Sequence, residues 1–385
     1  GSRGLGDVYK RQIQHLKKIF YEIKISEMEN VIQQLEKYLS ENNISNLISQ
    51  LTNKSNQLLK AYLADKYSTR SERPTFDADD LWKRSSAFLK EYPVILSTTF
   101  SATSSLKNII YDYVIVDEAS QVDLTTGVLA MSCAKNMVIV GDLKQLPNVV
   151  PEDVRKTIAQ LSIGNNIALN YRYEENSLLS SMCKTYENIS RTLLREHYRC
   201  HPKIIGFCNQ KFYNNQLVIM TQDNGESDVL KAYITVEGNH ARGHFNQRQI
   251  DEITNNILPE LNSSDVGIIA PYKDQTSALA EEITGQIDIS TVHKFQGREK
   301  DDIIISTVDN EITEFTDNPN MLNVAVSRAK KRMRIVVSDS EKNGRTNIGD
   351  LIKYIQYNNF EIKHSEINSV FDMLYKCYEE KRKSF

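Results

Sequence analysis

Apolar residues recur at every third or fourth position along the first part of the chain, with polar residues between them. The series runs through Ile13, Leu16, Ile19, Phe20, Ile23, Ile32, Leu35, Leu39, Leu47, Leu51, Leu58, Leu59 and Leu63. This spacing is typical of one face of an amphipathic helix. It predicts helix over residues 13–70, as a hairpin or stalk, within a stalk-like segment that extends over residues 13–90. A short coiled coil is disfavoured because the heptads are few and broken.

The pattern changes after Pro93, where short apolar runs begin to alternate with helical stretches. The runs are rich in Val and Ile and cover residues 94–99, 113–118, 137–142, 266–271, 287–292, 302–307 and 334–339. Because they are apolar on both faces, they are typical of parallel strands covered by helices on both sides. The pattern therefore predicts an α/β fold in two blocks, residues 91–190 and 191–345. Residues 346–385 return to helical spacing and predict a C-terminal helical extension.

Composition and charge limit the number of domains and the overall electric field of the protein. The 385 residues suffice for two or three domains, and a hydrophobic content of 40% suffices for sizeable cores. Lys and Arg number 47 against 50 Asp and Glu, which leaves a net charge of −3. No positive field therefore covers the whole protein, although this sum does not exclude a local basic groove.

Cysteine usage and the ends of the chain bear on location. The sequence has no apolar run of 18 residues and no signal peptide, so we expect no membrane span. Five scattered cysteines form no CxxC pair, which favours free thiols in a reducing, cytoplasmic setting. Residues 1–12 are interpreted as a tag or cloning artefact, since Gly1-Ser2 resembles a tag scar and RGLGDVYKRQ shows no periodicity.

Two adjacent acids follow the apolar run that begins at residue 113. Asp117 and Glu118 stand where the predicted strand ends, and ligands of open α/β sheets bind beyond the carboxyl ends of strands. One carboxylate there could hold the hydration shell of Mg²⁺, and the other could take a proton from an attacking water. The alternative is a solvated turn after a strand.

The next predicted strand ends in Gly141-Asp142, and Gln145 follows three residues later. An ordinary strand-to-helix turn is the alternative interpretation of this segment. Its position after the acid pair favours a polar site at the same edge of the sheet.

Three segments of the second block carry candidate chemistry. In YRCHP (198–202), Tyr198 offers a stacking face and Arg199 a guanidinium that suits bidentate phosphate contacts. Gly297 lies in a polar loop between two predicted strands and permits close backbone approach. Arg328 stands on a helix that leads into the last predicted strand.

Two neighbouring patterns invite other interpretations. His197, Cys200 and His201 lack the spacing of zinc ligands, so no structural zinc is expected. The basic run Lys330, Lys331, Arg332 and Arg334 is interpreted as a solvated face, with phosphate contact as the alternative.

Five motifs occur in a fixed order: DEAS (117–120), GDLKQL (141–146), YRCHP (198–202), TVHKFQGREKD (291–301) and NVAVSRAK (323–330). Together this set resembles motifs II to VI of superfamily 1 helicases. More narrowly it is similar to the 1B branch that includes the nonsense-mediated-decay helicase, senataxin and the replication helicase-nuclease. The resemblance covers residues 91–340 and implies two RecA-like domains, with ATP between them and single-stranded DNA or RNA across both.

The resemblance implies roles for three residues of the first block. Asp117 would bind Mg²⁺ through water and Glu118 would activate the hydrolytic water. Gln145 would sense the γ-phosphate.

It also implies roles for five residues of the second block. Tyr198 would lie against the adenine, and Arg199 would reach the γ-phosphate. Gly297 and Glu299 would border the nucleotide, and Arg328 would be a second arginine finger. Because the acids and the arginines lie in different domains, hydrolysis would require a closed cleft, and its opening and closing would drive movement along the strand.

Further residues match places where this family touches nucleic acid: Thr98, Thr99 and Ser101 in the first block, and Pro271, Tyr272, Thr291 and His293 in the second. Hydroxyls and main-chain amides suit phosphate contact, and Tyr272 or His293 could stack on a base. Local capping or packing is the alternative for each. The sequence leaves DNA or RNA open, and the resemblance implies 5′ to 3′ movement.

The sequence departs from the family in one motif. The family's first motif ends in Gly-Lys-Thr or Gly-Lys-Ser, and this chain contains no Gly-Lys dipeptide. Residues 13–90 would correspond to a stalk that follows this motif, so we expect the chain to be truncated before it. We then expect weak nucleotide binding, little turnover, and an incomplete first sheet that is marginally stable or self-associates. A non-catalytic module that binds single strands or a partner is the alternative function.

Overall fold

The computed structural model describes residues 3–68, 72–236, 244–261, 263–285 and 287–367, with the backbone alone for residues 3–10, 341 and 342. These residues form two compact units. One contains the residues up to 81 together with 87–93, and the other contains 82–86 together with the residues from 94 onward. Within the described part of the chain, no helix has the length and apolar content needed to cross a membrane.

Two long helices, α1 (Arg3–Glu41) and α2 (Ile44–Tyr67), begin the first unit. They are joined at Asn43, whose φ of 49° lies in the left-handed region that Asn tolerates. At the end of this unit, Arg73 donates to the buried Glu91 over 2.9 Å. The predicted helical N-terminal segment is therefore confirmed. Two short helices follow, α3 (Asp80–Lys83) and α4 (Ser85–Glu91).

Among its described residues the second unit contains three parallel sheets, and a two-stranded one belongs to residues 94–190, here called the first lobe. Its strands are β1 (Tyr111–Val116) and β2 (Ala134–Ile139), in register from Tyr111 opposite Ala134 to Val116 opposite Ile139. The helices of this lobe are α5 (Leu124–Ser132), α6 (Glu152–Gly164) and α7 (Leu178–Thr185), with a 3₁₀ turn at Leu169–Tyr171. Asp123 caps α5 because its carboxylate accepts from the backbone N–H of Thr125 and Thr126.

The predicted strand at residues 94–99 is wrong, because this segment forms neither strand nor helix. Val94 is 76% exposed and Leu96 is 93% exposed. Among the described residues the sheet of this lobe consists of β1 and β2, so no neighbouring strand accepts the hydrogen bonds of this segment.

The larger sheet belongs to residues 191–367, here called the second lobe. A short pair, β3 (Glu196–His197) and β4 (Val218–Ile219), precedes it. Its six strands are β5 (Leu230–Thr235), β6 (Val266–Ala270), β7 (Asp288–Thr291), β8 (Lys300–Ser306), β9 (Ala329–Ser338) and β10 (Glu361–His364). They are all parallel, in the order β10-β5-β9-β8-β6-β7.

Helices and two buried clusters cover this sheet. The helices are α8 (Pro202–Phe212), α9 (Gln247–Glu252), α10 (Leu258–Glu260), α11 (Lys273–Glu282), α12 (Val292–Phe295), α13 (Pro319–Val326) and α14 (Asn347–Tyr357), with a π-helical turn at Ile253–Ile257 and a 3₁₀ turn at Glu341–Arg345. Along β8, Ile303 and Ile305 pack in one cluster and Ile304 in the other. Because alternate residues point to opposite faces, both faces are covered. The predicted α/β fold with parallel sheets is confirmed.

Strands β5 and β10 are absent from the sequence-based prediction. β10 pairs with β5 at the edge of the sheet, so the helical extension predicted over residues 346–385 is wrong at residues 361–364. In β5, Lys231 interrupts the apolar pattern, and its ammonium lies 3.1 Å from Glu361 of β10. Residues 368–385 lie outside the described part of the chain.

Candidate active site

The acid pair stands directly beyond the buried end of β1. Val116 is buried, whereas Asp117 and Glu118 are exposed. Glu118 has a φ of 50°, which is uncommon for a residue other than glycine, and its backbone N–H donates to Asp117 Oδ1 over 2.8 Å. Both carboxylates are therefore held at the sheet edge by a local turn and remain accessible to solvent.

The loop after β2 lies against the acid loop, and Gly141 permits this approach. A Cβ at residue 141 would lie 3.2 Å from the backbone nitrogens of Ala119 and Ser120. The loops are also joined by hydrogen bonds from Ala119 N to Val140 O and from Asn148 N to Ser120 O, each 2.9 Å. The two polar segments predicted to share a sheet edge are thus in contact.

Gln145 presents a buried acceptor at this edge. Its Nε2 donates to Asp142 Oδ2 over 3.5 Å, while its Oε1 is buried and has no hydrogen-bond partner among the described residues. Buried polar atoms are nearly always hydrogen-bonded, so an orphaned carbonyl oxygen points to a donor supplied by water or a ligand.

The two predicted arginines lie in the second lobe and differ in exposure. Arg199 follows β3, and its Nε lies 2.5 Å from Glu299 Oε2. Arg328 follows α13 and is 3% exposed. Its guanidinium donates to the backbone oxygens of Val324 and Arg298 over 3.1 and 3.4 Å.

Burial and nearby charges shift the pKa of Arg328. Burial lowers the pKa of Arg328, and repulsion from Arg199 lowers it further. Glu118 and Glu299 act in the opposite direction. The charge of Glu118 in the first lobe is thus among those that raise the pKa of Arg328 in the second.

A cavity of about 480 Å³ opens beside Arg199, and its lining residues are Glu196, His197, Tyr198, Arg199, Glu299 and Lys330. Tyr198 is 66% exposed, and its hydroxyl bonds Glu196, which raises the pKa of Tyr198. An accessible aromatic face and a guanidinium thus share one cavity.

Gly297 serves its loop through backbone conformation. Its φ is 80°, a region that strongly favours glycine. A Cβ at this position would meet no atom within 4 Å, so the expected close backbone approach is not made within the protein.

His197 also lines this cavity. From the sequence, it is considered only as a possible zinc ligand. Burial lowers its pKa to about 4, with further lowering by the charges of Arg199 and Arg328. Its Nε2 accepts from Cys200 N over 2.9 Å. The neutral ring therefore lies beside the two arginines without adding positive charge.

Another histidine, His201, lies in a cluster with Asp223 and Glu226, whose ligand atoms are all within 4.8 Å of one another. His201 Nδ1 accepts from Lys203 N over 3.1 Å and caps α8. With Nδ1 as the acceptor, Nε2 is the nitrogen that carries a proton, and it lies 3.2 Å from Glu226 Oε2. This geometry suits a hydrogen-bonded cap and leaves no free nitrogen for a metal.

The basic run on β9 is the predicted solvated face at Lys331, which is exposed, but not at Arg334. Arg334 is 1% exposed and donates to Asp228 over 2.6 Å. Arg332 makes two bonds to the buried Asp302. Acids of neighbouring segments therefore neutralise these guanidinium groups, which argues against phosphate contact by Arg334.

The residues predicted to touch nucleic acid lie in both lobes. In the first lobe, Ser101 N donates to Thr98 Oγ1 over 3.2 Å within a turn that includes Thr99. In the second, Pro271 and Tyr272 follow β6, whereas Thr291 ends the adjacent β7 and is 8% exposed.

The structure brings this second group together at one sheet edge, because Ala270 pairs with Thr291. The ring of Tyr272 also contacts His244 and Phe315, with centroids 4.7 and 5.3 Å away. His293, in α12, is partly buried, and burial lowers its pKa.

Comparisons with known proteins cover both lobes. Two family models, each described as an AAA domain, match residues 7–152 and residues 174–340. "Uncharacterized ATP-dependent helicase C05C10.2" of Caenorhabditis elegans is 29% identical over 274 residues, 64% of this chain and 17% of that protein. "DNA replication ATP-dependent helicase/nuclease dna2" of Schizosaccharomyces pombe is 27% identical over 309 residues, 68% of this chain and 21% of that protein.

A solved structure described as a complex of Arterivirus nonstructural protein 10 (helicase) with DNA has a TM-score of 0.33 and 14% identity. It covers 60% of this chain and 41% of that chain. The present chain spans about a fifth of the length of the two curated relatives.

Proposed function

This chain belongs to the superfamily 1 helicases, in the branch that includes the nonsense-mediated-decay helicase, and we propose that it carries the cleft in which an ATP-dependent translocase binds and hydrolyses ATP. The observation that carries this proposal is the direct contact between the lobes beside the acid loop, where Asn320 Nδ2 donates to Gln145 O over 3.0 Å and Asn323 Nδ2 donates to Lys144 O over 2.9 Å. Acids on one lobe and arginines on the adjoining lobe suit phosphoryl transfer, which depends on positioning and charge.

The donor set of the first lobe fits a nucleotide and a magnesium ion. Asp117 offers the exposed oxygen ligand that Mg²⁺ prefers, and we assign it to hold the ion through water. The ion would neutralise phosphate charge. Glu118 would accept a proton from the attacking water, and the orphaned Oε1 of Gln145 would accept a hydrogen bond from that water.

The second lobe supplies the remaining contacts of this proposal. The exposed face of Tyr198 would stack on the base, and Arg199 and Arg328 would meet the γ-phosphate. Gly297 and Glu299 would border the nucleotide. Arginine fingers of this kind raise phosphoryl-transfer rates by on the order of 10³–10⁵.

We further propose that this chain alone hydrolyses ATP slowly or not at all. A loop with Gly-Lys-Thr or Gly-Lys-Ser supplies amides and a lysine to the phosphates, and the sequence has no Gly-Lys dipeptide. The phosphates would then be met only by the arginines and Mg²⁺. This same feature favours the second candidate function, a module that binds single strands without catalysis.

Single-stranded DNA or RNA is the proposed track for movement. Thr98, Thr99 and Ser101 of the first lobe would contact its backbone. Pro271, Tyr272, Thr291 and His293 would do so from the second. The name of the Schizosaccharomyces pombe relative specifies DNA. Because that protein is several times longer than the match, both polymers are retained as candidate substrates.

Two other features support proposals about cellular location and self-association. Cys133, Cys183, Cys200 and Cys208 are free thiols, and this supports a reducing, cytoplasmic location. On the two-stranded sheet, Tyr113 and Ile115 are 65% and 67% exposed. Such apolar exposure supports self-association of the first lobe.

ATP hydrolysis by the purified chain, with and without single-stranded DNA or RNA, tests the proposed function. We expect slow or undetectable hydrolysis, with any turnover stimulated by one polymer and abolished in Glu118→Gln. Fluorescence anisotropy of labelled single strands should show binding in both proteins. Rapid hydrolysis would contradict the proposed inactivity, and turnover that survives Glu118→Gln would contradict the assigned site. Binding of single strands without any binding of ATP would favour the non-catalytic module.

A further inference from the structure

Tyr213 connects the second lobe to the loop that carries Gln145. It caps the C-terminal end of α8, and its hydroxyl donates to Asp142 Oδ2 over 2.6 Å. The same hydroxyl accepts from Asn323 Nδ2 over 2.7 Å. Burial and the neighbouring carboxylate of Asp142 raise the pKa of Tyr213, so the phenol remains a donor at any physiological pH.

Other groups of the second lobe hold the same loop. Asn323 Nδ2 also donates to Lys144 O over 2.9 Å, and Asn320 Nδ2 donates to Gln145 O over 3.0 Å. Leu146 is 3% exposed and packs in a core cluster that otherwise consists of second-lobe residues. The loop from Asp142 to Leu146 belongs to the first lobe by sequence but is fastened to the second.

Asp142 links the tyrosine to the glutamine. Its Oδ2 accepts from Tyr213 and, over 3.5 Å, from Gln145 Nε2, and its Oδ1 accepts from Lys144 N over 2.8 Å. A rotation of this carboxylate would change the orientation of the Gln145 amide. The orphaned Oε1 lies on that same amide.

We propose that Tyr213 is a positioning residue, which holds Asp142 and thereby sets the orientation of Gln145 from the second lobe. Its catalytic consequence rests on the proposed function, since it requires Gln145 to contact the attacking water. In that setting, separation of α8 from the loop would release Gln145, so turnover would depend on the relative position of the lobes.

Hydrogen exchange of the Asp142–Leu146 loop in Tyr213→Phe tests the positioning role directly. The variant keeps the ring and removes the hydroxyl. A hydrogen bond to a charged acceptor is lost, so we expect amide exchange in peptides covering this loop to accelerate about tenfold or more. Exchange in β6, within the second-lobe sheet, should not change.

Tyr354→Phe is the matched control. Its hydroxyl donates to Lys203 O over 2.9 Å within the second lobe and makes no described bond to the loop. We expect this variant to leave exchange in the loop within about twofold of wild type, a change below about 0.5 kcal/mol. Equal acceleration in both variants, or no acceleration in Tyr213→Phe, would overturn the proposal.

Asp142→Asn provides a second route should Tyr213→Phe fold poorly. It should also accelerate exchange in the loop, and the double variant should add little to either single change, because both disrupt one connection. Full additivity would contradict a shared connection.

Kinetics separate this inference from the proposed function. Where wild type hydrolyses ATP, Tyr213→Phe should lower kcat about tenfold and leave KM within about twofold. A rise in KM with unchanged kcat would contradict positioning of Gln145. Where wild type shows no hydrolysis, as proposed for this chain alone, the exchange experiment decides whether Tyr213 holds the loop.

Discussion

Arg199 Nε lies 2.5 Å from Glu299 Oε2, and this ion pair forms one wall of the cavity beside Tyr198. Both side chains keep about two fifths of their surface exposed. A guanidinium has five N–H donors, so one carboxylate leaves donors for a second anion. Arg199 therefore lies at the cavity with N–H donors that remain available to an anion.

Gly141→Ala should destabilise the first lobe. The added Cβ would lie 3.2 Å from two backbone nitrogens of the acid loop, which cannot move aside as a flexible side chain could. We expect the free energy of unfolding to fall by about 1–3 kcal/mol in urea denaturation. Gly164→Ala is the control, since nothing lies within 4 Å of its Cβ position. Equal stability of the two variants would show that the loops are not closely packed.

The stability of the protein should depend on His197 in mildly acidic solution. The folded-state pKa of about 4 lies below the unfolded value of about 6.5, so the unfolded state binds the proton first. Its contribution to stability is complete above about pH 6.5 and is lost as the pH falls through about 4. Urea denaturation across this window measures the effect.

His197→Gln is the variant for that experiment, because its amide oxygen can still accept from Cys200 N. It should show a smaller loss of stability on acidification than wild type. His15→Gln, on the exposed surface of α1, should retain the wild-type pH dependence. An unchanged slope in His197→Gln would show that this ring is protonated in the folded protein.

Arg334→Met should lower the free energy of unfolding far more than the loss of a surface ion pair does. The Arg334 side chain is 2% exposed and lies 3.6 Å from Asp302, which is fully buried. Arg332 remains paired with Asp302, so we expect the lower end of the range for broken buried pairs, about 3 kcal/mol. Chemical denaturation measures this difference.

Lys135→Met is the control for the buried pair. Its ammonium pairs with Asp112 over 2.8 Å, with side chains 63% and 79% exposed. We expect a change of no more than about 1 kcal/mol. A similarly small change in Arg334→Met would indicate that the basic run is solvated after all.

Phe315 contacts the ring of Tyr272. We expect Phe315 to stack on a base of the bound single strand. It is 47% exposed, whereas the ring of Tyr272 already contacts both His244 and Phe315. Phe315→Ala should weaken single-strand binding at least fivefold, since stacking contributes about 1–3 kcal/mol per base. Tyr171→Ala, an exposed aromatic of the first lobe, should leave anisotropy titrations unchanged. Equal affinities would exclude stacking on Phe315.

Much of the fold could be predicted because buried parallel strands are apolar on both faces. The runs from residue 113 onward are strands in the structure, and the acids after β1 stand at the predicted edge. The run at residues 94–99 has the same composition but no described neighbour to pair with. Strand pairing is a long-range property, and residue composition does not report it.

The contacts between the lobes could not be predicted from local patterns. Tyr213 and Asp142 are 71 positions apart, and an isolated tyrosine after a helix carries no signal for such a bond. Arg334 belongs to a run of basic residues, which is normally solvated. Its buried guanidinium lies 2.6 Å from Asp228 and 3.6 Å from Asp302 of the paired strand β8, and both acids are distant in sequence.

Titration of the chain with a fluorescent ATP analogue and Mg²⁺ tests whether the acid loop and the arginines form a nucleotide site. We expect weak, saturable binding by wild type. Arg199→Gln should lower the affinity about tenfold, because it removes a charge-assisted contact. Arg298→Gln, which removes a neighbouring charge paired with Asp288, should bind within about twofold of wild type. Equal binding by wild type and Arg199→Gln, or no binding by wild type, would contradict a nucleotide site at this position.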